Sequence, residues 1–417
     1  VVSEILSYTL FVIATISVAI SLFVFLYHLV LMLVAFWSKP TTETLTTDRV
    51  RRFAIVIPAH NEVGTIQIAL DSCATLDYPS DAYEVFVVAD NCTDATADCA
   101  RRYGVHVVER HDTEKRGKGY ALQFAFDEVL QRPFDAVVVL DADCRLQANA
   151  LKIANDSFAE GKTILQFSYE TSNYDASSTS LLLGVANALE NHYYYAPKSR
   201  LGMFVVLRGT GMVFDVAILQ RYPWTSFSVV EDSEYSYKLV RAGYRIWFVD
   251  NVNVTSEFPE NRSQLDTQRR RWFGGGVELA ASQSWNLLKT GLTALDWRLV
   301  DAAINSWIVA RPLIILQLSV SIVAAIIYCL VASDQTLASV FLVSLVAVIA
   351  GYLTYVAVGL LCVGLSAHRL SLLLKTPWFV AYYLCISANA LARGASKEWV
   401  STPRQAKTSD VQPRASR

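Results

Sequence analysis

Charge is what this sequence has least of. Only 18% of its 417 residues are Asp, Glu, Lys or Arg, against roughly 25% in an ordinary globular protein, which excludes a chain built wholly as a soluble globule. The balance is −2, from 36 basic and 38 acidic residues, so the basic excess that a nucleic-acid binder needs against phosphate is missing too. The seven cysteines include no CxxC pair, and Cys329, Cys362 and Cys385 lie in apolar runs. That is neither a disulfide framework nor a zinc-ligand pattern. Internal repeats and low-complexity segments are also lacking.

What is there instead is uninterrupted apolar sequence. No charged residue occurs in 5–38, 312–333, 335–367 or 376–392, and a helix needs about 20 such residues to cross a bilayer core. The first three blocks are long enough; the fourth is marginal. The first is too long for one upright span and too short for two, which predicts one tilted helix over 1–38. A secretory signal would carry a basic n-region and a shorter apolar stretch. Lys39, Arg49, Arg51 and Arg52 follow this block while only Glu4 precedes it, so the positive-inside rule places the N-terminus outside and a linker, 39–52, inside. The blocks within 312–367 read as a hairpin turning at Asp334 and returning to the cytoplasm at His368, Arg369 and Lys375. The tail, 393–417, is basic and expected to be cytoplasmic, so 376–392 is expected to lie in the interface or re-enter. Residues 276–311 mix Trp285, Trp297 and Trp307 with Lys289, Arg298 and Arg311, the pattern of amphipathic helices on a membrane surface. His28 is expected to be neutral and paired across helices.

Between these blocks, 53–275 has ordinary composition. Periodicity predicts strands over 53–57, 83–89, 105–108 and 136–140, the first ended by Pro58, and helices over 62–74, 93–103 and 118–130. Strand and helix in alternation imply an α/β domain with a mostly parallel sheet, whose ligands bind beyond the carboxyl ends of the strands. Polar residues gather there: Pro58, His60, Asn61 and Glu62 after the first strand; Asp90 to Asp94 after the second; Asp141 and Asp143 after the fourth. Each group alone is also what a helix cap looks like; three together point to a site. Two carboxylates two residues apart suit a hard divalent cation that keeps positions for phosphate oxygens. Lys118, between Gly117 and Gly119, opens a helix as either a diphosphate contact or a plain surface turn.

Five ordered signatures carry a resemblance: Val56 to Glu62, the aspartate of Val88-Ala89-Asp90, Asp141-Ala142-Asp143, Val230-Glu231-Asp232, and Gln268-Arg269-Arg270-Arg271-Trp272. With the flanking apolar blocks, they make the chain similar to the membrane-embedded branch of the family 2 inverting glycosyltransferases. That branch has a GT-A, Rossmann-like domain and includes cellulose, chitin and hyaluronan synthases and bacterial exopolysaccharide enzymes. The resemblance implies a UDP-sugar donor, a Mg2+ or Mn2+ cofactor, a glycan or lipid-linked acceptor, a multi-pass location in the cell membrane with the catalytic domain cytoplasmic, and export or polymerisation partner proteins. It assigns Pro58, His60, Asn61, Glu62 and Asp90 to the base and ribose, and Lys118 to the uracil or diphosphate side. Asp143 would bind the metal, with Asp141 on the ribose or a metal-bound water. Asp232 would be the base; Glu231, Gln268, Arg271 and Trp272 would close over diphosphate and acceptor, and the loop Arg208-Gly209-Thr210-Gly211 would line the acceptor site. Two departures are visible: the second signature reads Asp90-Asn91-Cys92-Thr93-Asp94 without paired aspartates, and three convincing spans are few for a complete polymer channel in a monomer.

The chemistry needs such residues. Inverting transfer is a direct displacement: a carboxylate takes the acceptor proton, and cations neutralise the departing diphosphate. Bland alternatives exist for Asp232, as a helix N-terminal carboxylate, and for Arg269 to Trp272, as a juxtamembrane basic cluster with an interfacial tryptophan. Gln268, one helical turn before Trp272, favours a sugar-stacking platform. Competing functions are a transferase that adds one sugar to a polyprenyl- or lipid-linked acceptor and a catalytically silent membrane scaffold. A transporter is disfavoured, because His28 is the one ionisable residue inside the spans. The sequons at Asn91, Asn155, Asn253 and Asn261 fall in the domain placed in the cytoplasm and are expected to stay unmodified.

Overall fold

The structure is a computed structural model that describes residues 2–37, 47–308, 311–331 and 335–393. Residue 38 and the linker's residues 39–46, the Asp334 turn and the tail beyond Arg393 lie outside the described residues, as do the side chains of residues 267 and 269–271. Helix α1 (Val2–Trp37) comes first. The domain then runs β1 (Phe53–Ala59), α2 (Ile66–Ala74), β2 (Tyr83–Asp90), α3 (Thr96–Arg101), β3 (His106–Arg110), α4 (Lys118–Val129), β4 (Ala136–Val139), β5 (Arg145–Leu146), α5 (Ala150–Ala159) and β6 (Ile164–Thr171). Next come α6 (Ser178–Glu190), a single wide π-turn (Asn191–Tyr195), α7 (Ala196–Arg200), β7 (Met212–Asp215), α8 (Val216–Arg221), α9 (Glu231–Arg241) and β8 (Trp247–Ser256). Helices α10 (Arg262–Ala294), α11 (Trp297–Ile308), α12 (Arg311–Val331), α13 (Gln335–Val363), α14 (Ala367–Leu373) and α15 (Thr376–Arg393) complete it.

The strands form one sheet in the order β3-β2-β1-β4-β7-β6-β8-β5. β3, β2, β1 and β4 are mutually parallel, whereas β7 runs antiparallel between β4 and β6. All seven residues of β1 are buried, as a run of apolar and β-branched residues with no polar alternation requires of a central strand covered on both faces. Phe53, Ile55 and Ile57 pack with α2, α5 and their neighbours, while Ala54 and Val56 face α4 and Leu31 of the first helix.

Pro58 does not end β1; it pairs with Val88 of β2, and the strand continues to Ala59. The Val56 carbonyl accepts the Leu140 N–H at 3.0 Å, so residues of its parity turn their backbone groups toward β4. Two residues on, at Pro58, the β4 ladder has already stopped at Val139. The missing N–H therefore costs no ladder bond. The expected helix starts at 62 and 93 move to Ile66 and Thr96, because residues before them form turns: the Glu62 carbonyl accepts from Ile66, and Asp94 accepts the Thr96 N–H and hydroxyl.

The expected boundary at 275/276 falls inside α10, which is continuous through Gly274 to Gly276. Nor is α11 a surface helix throughout. Leu299, Ala302, Ala303 and Ile308 join the domain core, and Asp301 is buried in an ion pair with the fully buried Lys198 at 3.1 Å. The Tyr27 hydroxyl of α1 donates to Asp301 at 2.5 Å and the Phe204 N–H at 2.8 Å, so the first apolar helix is bolted to the domain.

Among the described residues three helices are long and apolar enough to cross a membrane, within α1, α12 and α13. A fourth exists only if α14 and α15, bent by 50° against each other, act as one span. α1 and α12 meet through Ser17, Ser21, Gln317 and Ser321, whose hydroxyl and amide groups bond across the pair, the polar contact expected where apolar burial drives no association. His28 sits against the rings of Tyr194, Tyr352 and Tyr355, and its Nδ1 lies 2.8 Å from the Val24 carbonyl of its own helix.

Candidate active site

The carboxyl ends of the parallel strands open into a cavity of about 380 Å3. β1 delivers Pro58 and Glu62, and β4 delivers Asp141 and Asp143; Arg116 to Lys118 come from the N-terminal edge of α4, and Glu231 and Asp232 open α9. The loop Arg208-Gly209 forms another wall, with Gln268 and Trp272 of α10 opposite. Leu279 of α10 also lines it, with Pro312 of α12, a helix long and apolar enough to cross a membrane, and Tyr383 of α15. Helix α4 starts close to the loop before α9: a Cβ on Gly119 would overlap the Ser226 carbonyl, which is why this position is glycine.

Lys118 is the centre of the charge arrangement. Its Nζ lies 2.5 Å from Asp141 Oδ1 and 4.0 Å from Glu231 Oε1, and it donates to the Gly209 carbonyl at 2.8 Å. Burial opposes its charge, yet Asp141, Glu231 and Asp232 together hold its pKa above that of an ordinary lysine. Burial raises Glu231, with the Asp232 charge adding to it, to about 7. Asp232 is likewise raised by burial, while Lys118 and the Ser233 N–H pull the other way. Gly209, at φ +79°, is where these groups converge: a Cβ there would sit 3.3 Å from both Asp232 Oδ2 and Lys118 Nζ.

Asp141, Asp143 and Cys144 bring candidate ligand atoms within 4.8 Å of one another. Burial raises the Cys144 thiol pKa, which keeps the proton on sulfur, and that thiol contacts Asp143 Oδ1 at 3.4 Å. The two carboxylates are the oxygen donors of this group. All-oxygen donors, two in number, beside a lysine, fit a hard divalent cation that takes its other ligands from phosphate and water.

Of the residues expected at the site, Pro58, Glu62, Lys118, Asp141, Asp143, Glu231, Asp232, Gln268 and Trp272 line this one cavity. His60, Asn61 and Asp90 stand beside it. The His60 Nδ1 is 2.7 Å from the Asp90 carbonyl, and Asn61 Oδ1 accepts the Thr93 N–H at 2.8 Å. Asp90 is 1% exposed, with Oδ1 bound by Arg110 at 2.5 Å and Oδ2 buried without a hydrogen-bond partner among the described residues. Arg271 is on α10, with its side chain outside the described residues.

Sequence reasoning did not foresee Arg110, nor the partners of Arg208, a residue it placed only in a loop expected to line the acceptor site. The Arg208 guanidinium donates to Asn191 Oδ1 at 2.5 Å, to Asn187 Oδ1 and to Glu190 Oε2 at 3.1 Å, and lies over the rings of Tyr195 and Tyr169. The available signal was the polar and aromatic run from Glu190 to Tyr195 interrupting an apolar helix.

Comparison with known proteins agrees with this geometry. Residues 51–275 match the family model described as glycosyltransferase like family 2. A probable glycosyltransferase of Bacillus subtilis is 26% identical over 280 residues, 62% of this chain and 65% of that one. A poly-β-1,6-N-acetyl-D-glucosamine synthase of Staphylococcus epidermidis is 26% identical over 254 residues, 58% of this chain and 59% of its own. The chain thus spans about three fifths of these relatives. Among solved structures, a mannosyltransferase from Pyrobaculum calidifontis in complex with GDP-Man and Mn2+ superposes with a TM-score of 0.59 at 19% identity, covering 92% of this chain and 99% of that one. That likeness identifies the domain's fold as GT-A. With more than half of its residues inside the family model and with polysaccharide synthases among its relatives, the chain belongs to glycosyltransferase family 2.

Proposed function

We propose that the chain transfers a sugar from a UDP-sugar, with inversion to a β-linkage and dependence on Mg2+ or Mn2+, onto a growing exopolysaccharide or envelope glycan at the cytoplasmic face of the cell membrane. One observation carries the reading: a half-buried carboxylate with a raised pKa, Asp232, shares a cavity with a lysine and two metal-suited carboxylates. In that reading Lys118 and Arg116 hold the diphosphate. Asp141 and Asp143 hold the cation, which when bound supplies charge neutralisation for the departing group. Asp232 takes the proton of the acceptor hydroxyl, and its buried surroundings make the carboxylate a stronger base than one in water. Trp272, 38% exposed on the cavity wall, offers a face on which a sugar ring stacks, and the relatives named as polysaccharide synthases support polymer building. Asp90, with His60 and Asn61 beside it, is assigned to the nucleotide base: its unpartnered Oδ2 is a buried acceptor waiting for an N–H.

A second reading, one sugar added to a lipid-linked acceptor, is favoured by the presence in the cavity wall of Pro312, from a helix long and apolar enough to cross a membrane, and of Tyr383 of α15. Purified protein in detergent, given labelled UDP-sugars with GDP-mannose alongside and Mn2+ or Mg2+, tests both. A ladder of products supports polymerisation, a single added residue supports the second reading, and no nucleotide-sugar binding refutes the assignment.

A further inference from the structure

Arg110 joins two ends of the donor pocket, although it does not itself line the cavity. It is the last residue of β3, a strand at the sheet edge, and stands opposite Asp90 in the parallel ladder. A long cation at such a place ordinarily reaches into water, yet Arg110 is 8% exposed. Its guanidinium is divided between two partners. Nη1 donates to Asp90 Oδ1 at 2.5 Å, while Nη2 donates to Asp112 Oδ2 at 3.0 Å and to the Lys115 carbonyl at 2.7 Å.

That division is informative. An arginine that serves only to neutralise a carboxylate commonly takes both of its oxygens with two parallel N–H bonds. Here one nitrogen goes to Asp90 and leaves Oδ2 without a hydrogen-bond partner among the described residues, and the other is turned to the loop before α4. Nor does pairing of β2 with β3 need the side chain, since the Asn91 N–H already donates to the Arg110 carbonyl at 2.7 Å. The loop is gathered around the same partner: Asp112 Oδ1 accepts the Glu114 and Lys115 N–H groups at 3.0 and 2.8 Å. Lys115 immediately precedes Arg116, Gly117 and Lys118, which line the cavity. Tyr120, in the first turn of α4, covers the guanidinium with its ring centre 5.9 Å away and stacks face to face on Phe227 at 4.2 Å.

We infer that Arg110 is a positioning residue: by holding Asp90 and the Lys115 carbonyl on one rigid fork, it sets the spacing between the base-binding and diphosphate-binding ends of the pocket, which is thereby preformed for an intact nucleoside diphosphate. The inference rests on the glycosyltransferase reading, and adds to it a residue that acts only through others. The guanidinium is planar with its nitrogens at a fixed separation, so the two partners cannot drift apart without losing a hydrogen bond. A ligand that engages both ends of a pocket must otherwise supply the ordering of whichever end is loose. With Arg110 in place, folding has already done so. Lysine keeps a charge beside Asp90 but offers one nitrogen on a flexible stem, and holds one end at a time.

The test titrates UDP, with GDP as the alternative probe, into the full chain in detergent at saturating Mn2+, and reads affinity and number of sites separately. Arg110→Lys is expected to weaken the nucleotide about tenfold with the number of sites per chain unchanged. A merely structural arginine would lower the number of sites and leave the affinity of the remainder alone. Asp112→Ala cuts the link to the loop with the Arg110 and Asp90 pair in place, and is expected to weaken the nucleotide about fivefold. Because both substitutions act along one path, the double variant is expected to lie within about twofold of Arg110→Lys alone. The inference is overturned by an affinity within about threefold of wild type in Arg110→Lys, by a loss of sites at constant affinity, or by a double variant as weak as the product of the two single effects. If Arg110→Lys does not fold, Asp112→Ala decides, and an unchanged affinity there refutes the role. A wild type that binds neither UDP nor GDP refutes the glycosyltransferase reading, and the inference with it. A wild type that binds nucleotide no better than the variants refutes the inference alone.

Discussion

Replacing Asp232 with Asn removes a proton acceptor and leaves its surroundings in place. Asp232 Oδ1 accepts the Ser233 N–H at 2.6 Å, a bond the Asn carbonyl keeps, and the Asp232 backbone carbonyl still receives the Ser236 hydroxyl at 2.8 Å. Lys118 retains its partners in Asp141 and Gly209, so the donor side is intact. Losing a general base costs typically about 10² to 10⁴-fold in rate, or about 2.7 to 5.4 kcal/mol of barrier at roughly 1.36 kcal/mol per decade. The pH profile separates this from a folding defect. Burial raises the Asp232 carboxyl, and Glu231 beside it is raised to about 7; the two titrate as a pair. A base works only when deprotonated, so the wild-type rate falls as pH drops through the pair's raised range and levels off above it. In Asp232→Asn that acid limb flattens onto a low residual rate. The assay is transfer of labelled sugar with metal saturating, from about pH 5.5 to 8.5, with UDP binding as the check on folding. A variant within about threefold of wild type, or one keeping a wild-type acid limb, refutes Asp232 as the base.

Lys118→Met is expected to weaken nucleotide-sugar binding. It also moves the acid limb to higher pH, since removing a cation from beside Glu231 and Asp232 raises their pKa values; a limb that stays put or moves down refutes the electrostatic reading. Gly209→Ala forces a side chain into left-handed backbone at about 1 to 2 kcal/mol and crowds Asp232 and Lys118 at 3.3 Å; turnover is expected to fall much further than the thermal midpoint, and equal losses would show that Gly209 serves stability alone. Lys198→Met strands Asp301 in the core and is expected to cost about 3 to 5 kcal/mol, read by thermal unfolding in detergent, with Lys198→Met/Asp301→Leu regaining much of it; no loss in the single variant sinks the claim that this pair, 0% and 4% exposed, ties α1 to the domain. Chelation with EDTA is expected to abolish transfer, with Mn2+ or Mg2+ restoring it; full activity in EDTA removes the cation from the mechanism.

Much of this was legible in the chain because its signals are local. Val137 to Val139 and Ala54 to Ile57 are apolar with no alternation, and only a strand buried on both faces calls for that, so the parallel half of the sheet could be read directly. The strand-end carboxylates Asp141 and Asp143 could be read with it. Pro58 was misleading because proline ends strands in general, and here a neighbouring strand happens to stop first. The 276–311 stretch was legible only in part: Trp285, Trp297 and Trp307 are exposed, whereas Asp301 and Asn305 are buried against Lys198 and Tyr194, partners about a hundred residues away.

By itself, then, the sequence determined where the apolar helices are, the alternation that makes an α/β domain, and which carboxylates stand at strand ends, since each follows from residue type at a spacing of two to four along one chain. Tertiary structure alone decided that Lys118, Asp141 and Glu231, contributed by α4, the end of β4 and α9, meet around one ammonium group. It alone decided that the end of α6 and the π-turn after it lay Glu190 and Asn191 against Arg208. Such contacts depend on how helices pack on the sheet, and the cost of leaving a buried charge unpaired enforces them only once the chain has folded.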